Sequence, residues 1–92
     1  MGSSNYRYWQ RRELIDALKL ARGCAECGFN QHPAALDFDH RPGTMKEFSI
    51  AGGLSYSWAR IVAEMAKCDI VCANCHRVRT HIRQQYKPKK RK

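Results

Sequence analysis

Two cysteine pairs carry the clearest chemistry in this chain. Cys24 and Cys27 form one C-x-x-C pair, and Cys72 and Cys75 form a second pair after an interval of residues 28–71. A tight turn lets both thiolates of such a pair reach one ion, and four thiolates together favour a closed, tetrahedral zinc site. We therefore predict that these four cysteines bind a structural Zn²⁺, with a redox-active dithiol as the alternative chemistry.

A second group of donors lies beside these pairs. Asp39 and His40 are adjacent in the interval between the pairs, and His76 directly follows the last cysteine. Oxygen and nitrogen donors of this kind suit an exchangeable ion rather than a closed thiolate site. A metal knuckle beside His76 would also hold that side chain rigidly, as a reactive site requires. The sequence thus predicts one metal site that stabilises the fold and a second site that does chemistry.

The small size of the chain explains why it would need a metal. A chain of 92 residues makes one small domain, and such domains often lack a core large enough to be stable without a staple. Disulfides are an alternative, but the chain begins with no apolar targeting stretch and has no run long enough to span a membrane. We expect an intracellular protein with reduced thiols. The fifth cysteine, Cys68, is predicted to be a buried apolar side chain, with competition for zinc as the alternative.

The chain has an excess of positive charge that is concentrated at its end. Its 17 Lys and Arg against 8 Asp and Glu give a formal net charge of +9. Six of the positive charges and no negative ones lie in residues 83–92, so residues 1–82 carry +3. This balance predicts a polyanionic partner such as DNA and no membrane partner. The basic run itself is expected to be solvated and to attract phosphates.

Hydrophobic spacing indicates the elements that must position these residues. The predicted helices cover residues 6–22, a segment that begins at Trp58 behind a Ser57 cap, and residues 74–85. The predicted strands cover residues 35–38 and 69–71, and the loop between residues 41 and 57 holds one further short strand at Phe48 and Ile50. Asp39 and His40 would then lie at the exit of the first strand.

We expect these elements to form one domain. Residues 1–5 are interpreted as a flexible lead-in, residues 6–85 as a single domain and residues 86–92 as a basic tail. The fold class is therefore α+β, a small zinc-stapled domain with an N-terminal helix and an extra helix inserted before the second cysteine pair. On the last helix, Arg79 and Arg83 share the side of His76, while Val78 and Ile82 lie opposite and are predicted to face the core.

Two segments resemble the motifs of the HNH endonuclease family. They are Leu-Asp-Phe-Asp-His at residues 36–40 and Cys-Asp-Ile-Val-Cys-Ala-Asn-Cys-His-Arg at residues 68–77. The resemblance covers roughly residues 24–81 and implies a treble-clef-like domain with a ββα-metal motif. Small basic members like this one are commonly encoded by bacteriophages, which would place the protein in the cytoplasm of a bacterial host.

The resemblance implies a hydrolase that cuts DNA. Asp39 and His76 would ligate a divalent cation such as Mg²⁺ or Mn²⁺, and His40 would be the general base that deprotonates water. This agrees with the chemistry, because phosphodiester hydrolysis needs an oriented nucleophile and a cation beside the developing charge, and a neutral histidine suits the base near pH 7. The candidates for binding phosphate are four arginines, Arg41, Arg77, Arg79 and Arg83.

Two features depart from the family pattern. The middle asparagine, which ties down the loop between the strands, has no clear counterpart, and Lys67 falls near its place. Thr80 stands where a third histidine ligand can occur, one turn after His76. The expected cation site therefore has two protein ligands and several waters, which favours Mg²⁺ over a softer ion.

Two other classes of protein fit part of the pattern. A non-catalytic zinc module that binds nucleic acid would explain the cysteines and the charge, and so would a zinc-stapled interaction domain with an incidental basic tail. Only a nuclease explains why an Asp-His pair and a histidine after the second cysteine pair occur together. One active site per chain is compatible with a nicking monomer or a double-cutting dimer. Base preference is equally open, since most available contacts are to phosphate.

Overall fold

The computed structural model of the protein describes residues 3–86, with the side chains of residues 6–85. This part of the chain is a small α+β domain, as predicted, in which three helices surround a two-stranded antiparallel sheet. The elements in chain order are α1 Ser3–Arg22, β1 Leu36–His40, α2 Trp58–Met65, β2 Cys68–Cys72 and α3 Ala73–Tyr86. All but the first residue of the predicted basic tail lies outside the described residues. No helix in the described part is both long and apolar enough to cross a membrane.

Helix α1 begins three residues before its predicted start and ends where the sequence indicates. Gly23 follows it with a φ of +71°, a left-handed conformation that glycine adopts without strain, and its N–H donates to the carbonyl of Lys19 at 2.8 Å. Only a narrow stripe of the helix is covered. Ile15 is buried and Leu18 is partly buried, whereas Leu14 remains 58% exposed.

The two strands pair over their whole length, with Leu36 opposite Cys72 and His40 opposite Cys68. Both strands are longer than predicted, so Asp39 and His40 lie inside β1 rather than after it. The N–H of Arg41 donates to the carbonyl of Lys67 at 2.9 Å and extends the pairing beyond the strand. Because side chains alternate along a strand, those of Asp39 and His40 leave opposite faces of the sheet.

The core consists of two clusters joined by shared neighbours. Leu18 and Phe38 pack against both clusters. One cluster comprises Ile15, Ile50, Leu54, Ile61, Met65 and Cys68. The other comprises Cys24, Leu36, Ile70, Val71 and Cys72. Cys68 is buried, as predicted, and burial raises the pKa of its thiol to about 11, so this side chain stays protonated at neutral pH.

The predicted strand at Phe48 and Ile50 is wrong. The chain turns there instead, with the N–H groups of Gly52 and Gly53 donating back to the carbonyls of Ser49 and Ile50 at 3.2 and 3.1 Å. Ile50 enters the core from this turn, and Phe48 lies over the turn. A Cβ atom on Gly53 would lie 2.6 Å from the Phe48 ring, so only glycine fits at this position. Tight packing of the turn prevents the extended backbone that a strand requires.

Helix α2 follows the predicted cap, because the Ser57 hydroxyl accepts from the N–H of Arg60 at 3.3 Å. The spacing of Trp58, Ile61, Val62 and Met65 predicts that these four side chains form its core-facing stripe, and the structure differs from that prediction. Val62 is 45% exposed, and the carboxylate Glu64 is buried in the same helix, only 3% exposed. An acidic side chain thus occupies a position at which the hydrophobic spacing predicts none.

The predicted core face of α3 is also wrong. Val78 and Ile82 are 56% and 45% exposed. The helix packs on both strands through the side that carries Cys75 and His76, whereas its far side stays exposed at Val78 and Ile82. The helix therefore has one packed face, and that face carries the polar side chains of the candidate site.

Candidate metal centre and active site

The four predicted zinc ligands come together at the junction of three elements. Cys24 and Cys27 lie in the turn after α1, Cys72 ends β2, and Cys75 lies in the first turn of α3. Their sulfur atoms all lie within 4.8 Å of one another, and those of Cys27 and Cys72 are 3.8 Å apart. Four sulfurs at about 2.3 Å from a tetrahedral zinc lie about 3.8 Å apart. The cluster could therefore hold a metal ion such as zinc.

The protonation chemistry of the cluster also suits a cation. Burial raises the pKa of the Cys24 thiol, but backbone hydrogen bonds, including one from the N–H of Cys27, outweigh burial and lower that pKa to about 6. The hydrogen bond to Cys72 instead raises the pKa of Cys75 to about 12. Four sulfurs this close cannot all ionise unless a positive charge compensates them, and metal binding supplies that charge.

Asp39 lies at the centre of an ion-pair network between β1 and α3. The carboxylate is buried, and Arg83 donates to its two oxygens from Nη1 and Nη2 at 2.9 Å each. Arg79 donates to Oδ2, also at 2.9 Å. Burial raises the pKa of Asp39, but the two guanidinium groups outweigh burial and lower it below its usual value. Asp39 is therefore ionised at neutral pH, and its charge is compensated by two arginines.

His76 lies beside this carboxylate and is oriented by a second one. Its Nε2 is 3.6 Å from Oδ1 of Asp39, and its Nδ1 is 3.0 Å from Oδ2 of Asp37. Histidines that ligate metals commonly donate their other ring N–H to a carboxylate, which fixes the tautomer. Asp37 is placed to accept that N–H from Nδ1, and in a neutral ring Nε2 would then face Asp39 without a proton. Sequence reasoning missed Asp37, although it lies two residues before Asp39 and so on the same face of β1.

Asp39 and His76 lie next to each other, and a cation held by this pair, which the family resemblance implies, stays a prediction. Among the described side chains, the four cysteines are the only group of three or more His, Cys, Asp or Glu residues whose donor atoms all lie within 4.8 Å of one another. Any cation held by Asp39 and His76 would thus complete its coordination with water or substrate oxygens.

His40 belongs to a separate network on the other side of β1. Its Nε2 lies 2.7 Å from Oε2 of Glu64 on α2, and the His40 side chain is 13% exposed. Glu64 also accepts from Nζ of Lys67 at 2.9 Å and from the N–H of Glu47 at 3.0 Å. Glu64 was not predicted from the sequence. The signal was its spacing, because it follows Ile61 by three residues and so lies on the same face of α2 as the apolar stripe.

Lys67 links α2 to the loop between the strands. Its Nζ donates to the carbonyl of Met45 at 2.7 Å as well as to Glu64. These two contacts hold the loop at Met45 against the end of α2.

The four arginine candidates occupy different environments. Arg79 and Arg83 bind Asp39, and Arg79 also donates to Glu26 and Asp69 at 2.7 and 3.0 Å. Arg41 donates to the carbonyls of Ala66 and Cys68 at the end of the sheet. Arg77 is exposed and has no ion pair with the described side chains. The role of these four residues in phosphate binding stays a prediction.

Glu64 should make the stability of the fold depend on pH. Burial raises the pKa of its carboxyl, but the Glu47 N–H, the Lys67 ammonium and the His40 ring outweigh burial and lower that pKa from 4.5 to about 2. A carboxyl group whose pKa is lower in the folded state than in the unfolded state stabilises the fold at pH values above its unfolded-state pKa. That stabilisation is lost as the pH falls towards the folded-state pKa. The difference in unfolding free energy between the wild type and Glu64→Gln should therefore shrink as the pH falls from 4.5 to about 2.

Urea unfolding curves at several pH values would measure this difference. Metal release in acid destabilises the wild type and Glu64→Gln alike. The difference between their unfolding free energies therefore reports on Glu64 alone. Glu47→Gln is the matched control, because the Glu47 side chain is 53% exposed and pairs only with Arg60 at 3.5 Å. A difference for Glu64→Gln that stays constant down to pH 3 would contradict the depressed pKa.

No protein-family model, curated protein or solved structure matches the chain.

Proposed function

We propose that this chain is a metal-dependent DNA endonuclease that hydrolyses phosphodiester bonds. The proposal is carried by one observation, that Oδ1 of Asp39 on β1 and Nε2 of His76 on α3 lie 3.6 Å apart. Asp37 orients the other nitrogen of His76, and the cysteine cluster anchors the junction of β2 and α3 next to it. The carboxylate oxygen suits a hard divalent cation such as Mg²⁺ or Mn²⁺, whose other coordination positions water or phosphate oxygens would fill around the single imidazole nitrogen.

Each residue has a definite role in this proposal. A divalent cation held by Asp39 and His76 would stabilise the charge that develops on the phosphate and on the leaving oxygen. His40 takes a proton from water as the water oxygen attacks phosphorus and the bond to the leaving sugar oxygen breaks. In the structure, Arg79 and Arg83 form ion pairs with Asp39. When DNA binds, the two guanidinium groups would release Asp39 and bind phosphate oxygens instead.

The overall charge favours the same substrate class. The net charge of +9 becomes +7 if four thiolates and one Zn²⁺ are counted, since these together contribute two negative charges. A protein with this balance attracts a polyanion and releases its counterions, whatever the base sequence. This supports DNA as the partner and agrees with a site built mainly from contacts to phosphate.

A second candidate is a non-catalytic zinc module that binds nucleic acid. The observation in its favour is that both oxygens of Asp39 are already bonded to arginines, which compete with a cation for the carboxylate. His40 also leaves β1 on the opposite face from Asp39 and contacts Glu64 instead. In this alternative, Asp39 and the arginines only brace α3 on the sheet.

A plasmid assay separates the two candidates. Supercoiled plasmid is incubated with the protein in Mg²⁺, in Mn²⁺ or in EDTA, and open-circular and linear forms are resolved on a gel, with bound zinc measured in each condition. We expect conversion only with the divalent cation, and loss of conversion in His76→Ala. His81→Ala is the matched control, since His81 is an exposed histidine of the same helix whose only hydrogen-bond partner among the described residues is Gln85. Retarded but never relaxed plasmid would favour the binding module.

A further inference from the structure

Glu64 is an unusual residue for the position it occupies. Only two acidic side chains are buried among residues 6–85, and the other, Asp39, is compensated by two arginines. A buried carboxylate is unfavourable unless it is paired, and an apolar side chain would pack against Ile61 and Met65 without that penalty. The carboxylate therefore calls for an explanation beyond packing, and its shortest contact is the one to His40 at 2.7 Å.

The protonation state of Glu64 determines which nitrogen of His40 carries the proton. Its hydrogen bonds keep the pKa of Glu64 at about 2, so the group is ionised at neutral pH and can only accept hydrogen bonds. The contact between Oε2 and Nε2 of His40 is then a hydrogen bond only if Nε2 donates. A neutral His40 must accordingly be the Nε2–H tautomer, with its lone pair on Nδ1.

The Nδ1 atom of His40 reaches the protein surface, and the side chain as a whole is 13% exposed. Among the described residues it has no hydrogen-bond partner, and no buried side-chain nitrogen or oxygen lacks a partner, so Nδ1 lies at the surface. The ring is thus held from its buried side and presents an unprotonated nitrogen on its exposed side. A general base needs this arrangement, in which a fixed ring offers a lone pair to water.

We propose that Glu64 is a positioning residue that holds His40 in the Nε2–H tautomer and so leaves Nδ1 as the atom that accepts the proton from the attacking water. This rests on the proposed function, because it assigns a partner to the base of that reaction. Glu64 would orient His40 as the aspartate of a Ser-His-Asp triad orients the catalytic histidine, by accepting the N–H of the ring nitrogen that does not react. Lys67 and the N–H of Glu47 then compensate the charge of Glu64.

The competing explanation is purely structural. Glu64 joins α2 to the loop through the N–H of Glu47, and Lys67 joins them through the carbonyl of Met45. If Glu64 served only that link, its loss and the loss of Lys67 would have the same consequences. A test must therefore report on the His40 ring itself and must compare the two residues.

Long-range ¹H–¹⁵N NMR spectra of the full-length, zinc-loaded protein report the tautomer of His40 directly. The wild type should show a protonated Nε2 and an unprotonated Nδ1 above the pH at which the ring loses its charge. Glu64→Gln keeps an acceptor oxygen and should keep this tautomer. Glu64→Met removes the acceptor and should give a mixture of tautomers. Lys67→Met, the matched control, weakens the same link but leaves the contact to His40 and should keep the wild-type tautomer.

Single-turnover cleavage of plasmid provides the second readout. Glu64→Met should lower the rate at saturating DNA by at least about tenfold, within the about 10²- to 10⁴-fold that a general base supplies, with little change in DNA affinity. Glu64→Gln should restore most of that rate. A wild-type ring protonated on Nδ1, or a folded Glu64→Met protein with the wild-type tautomer, would overturn the proposal. The wild-type spectrum decides even if Glu64→Met does not fold. Absence of cleavage by the wild type would refute the proposed function and leave the tautomer result standing.

Discussion

Replacing Cys72 by serine should release the bound metal and unfold the domain. Cys72 ends β2, lies in the second core cluster and has its sulfur 3.8 Å from that of Cys27. Binding of a structural zinc contributes about 10–16 kcal/mol to folding, which is as large as the about 5–15 kcal/mol total stability of a typical domain. The same loss is expected for serine at each of the other three positions, Cys24, Cys27 and Cys75.

Zinc content and circular dichroism of the purified variants would measure this effect. Cys68→Ser is the matched control, because Cys68 is a buried cysteine of β2 that lies outside the four-sulfur cluster. It should keep its zinc and lose only about 1–3 kcal/mol from burying a hydroxyl in place of a thiol. A Cys68→Ser protein without zinc, or a Cys72→Ser protein that keeps both its zinc and its fold, would show that the ligand set is wrong.

Replacing His40 by alanine should reduce DNA cleavage by about 10²- to 10⁴-fold, the usual contribution of a general base. The side chain reaches the surface at one edge and contacts Glu64 at the other, so its removal opens little of the core. Zinc content and DNA affinity should stay close to those of the wild type. First-order rates of plasmid nicking at saturating Mg²⁺ would measure the loss.

His32→Ala is the control for this variant. His32 accepts from the N–H of Ala34 through Nδ1 at 3.0 Å and caps a short 3₁₀ helix, Pro33–Ala35, that precedes β1, so its removal should cost a little stability and no activity. A His40→Ala protein that cleaves at the wild-type rate would remove His40 from the mechanism. A protein that fails to fold would instead assign His40 a structural role.

The features that could be predicted from the sequence alone are local. The spacing within each C-x-x-C pair sets which sulfurs can share an ion, Ser57 caps α2 through an N–H three residues away, and Gly23 permits the left-handed turn that ends α1. Each of these depends on residues within a few positions, so short-range geometry is sufficient. The pairing of Asp39 with His76 could also be anticipated, but only because a family resemblance supplied the long-range contact.

The covered faces of the helices and the pairing of distant charges depend on the packing of the whole domain. The spacing of α3 predicts Val78 on a core face, yet it is 56% exposed in the folded domain. Glu64 lies 24 residues from His40 along the chain, and Asp37 lies 39 residues from His76. Such contacts depend on how helices dock on the sheet, which local propensity does not encode. The partners that give both histidines their orientation therefore became apparent only in the folded molecule.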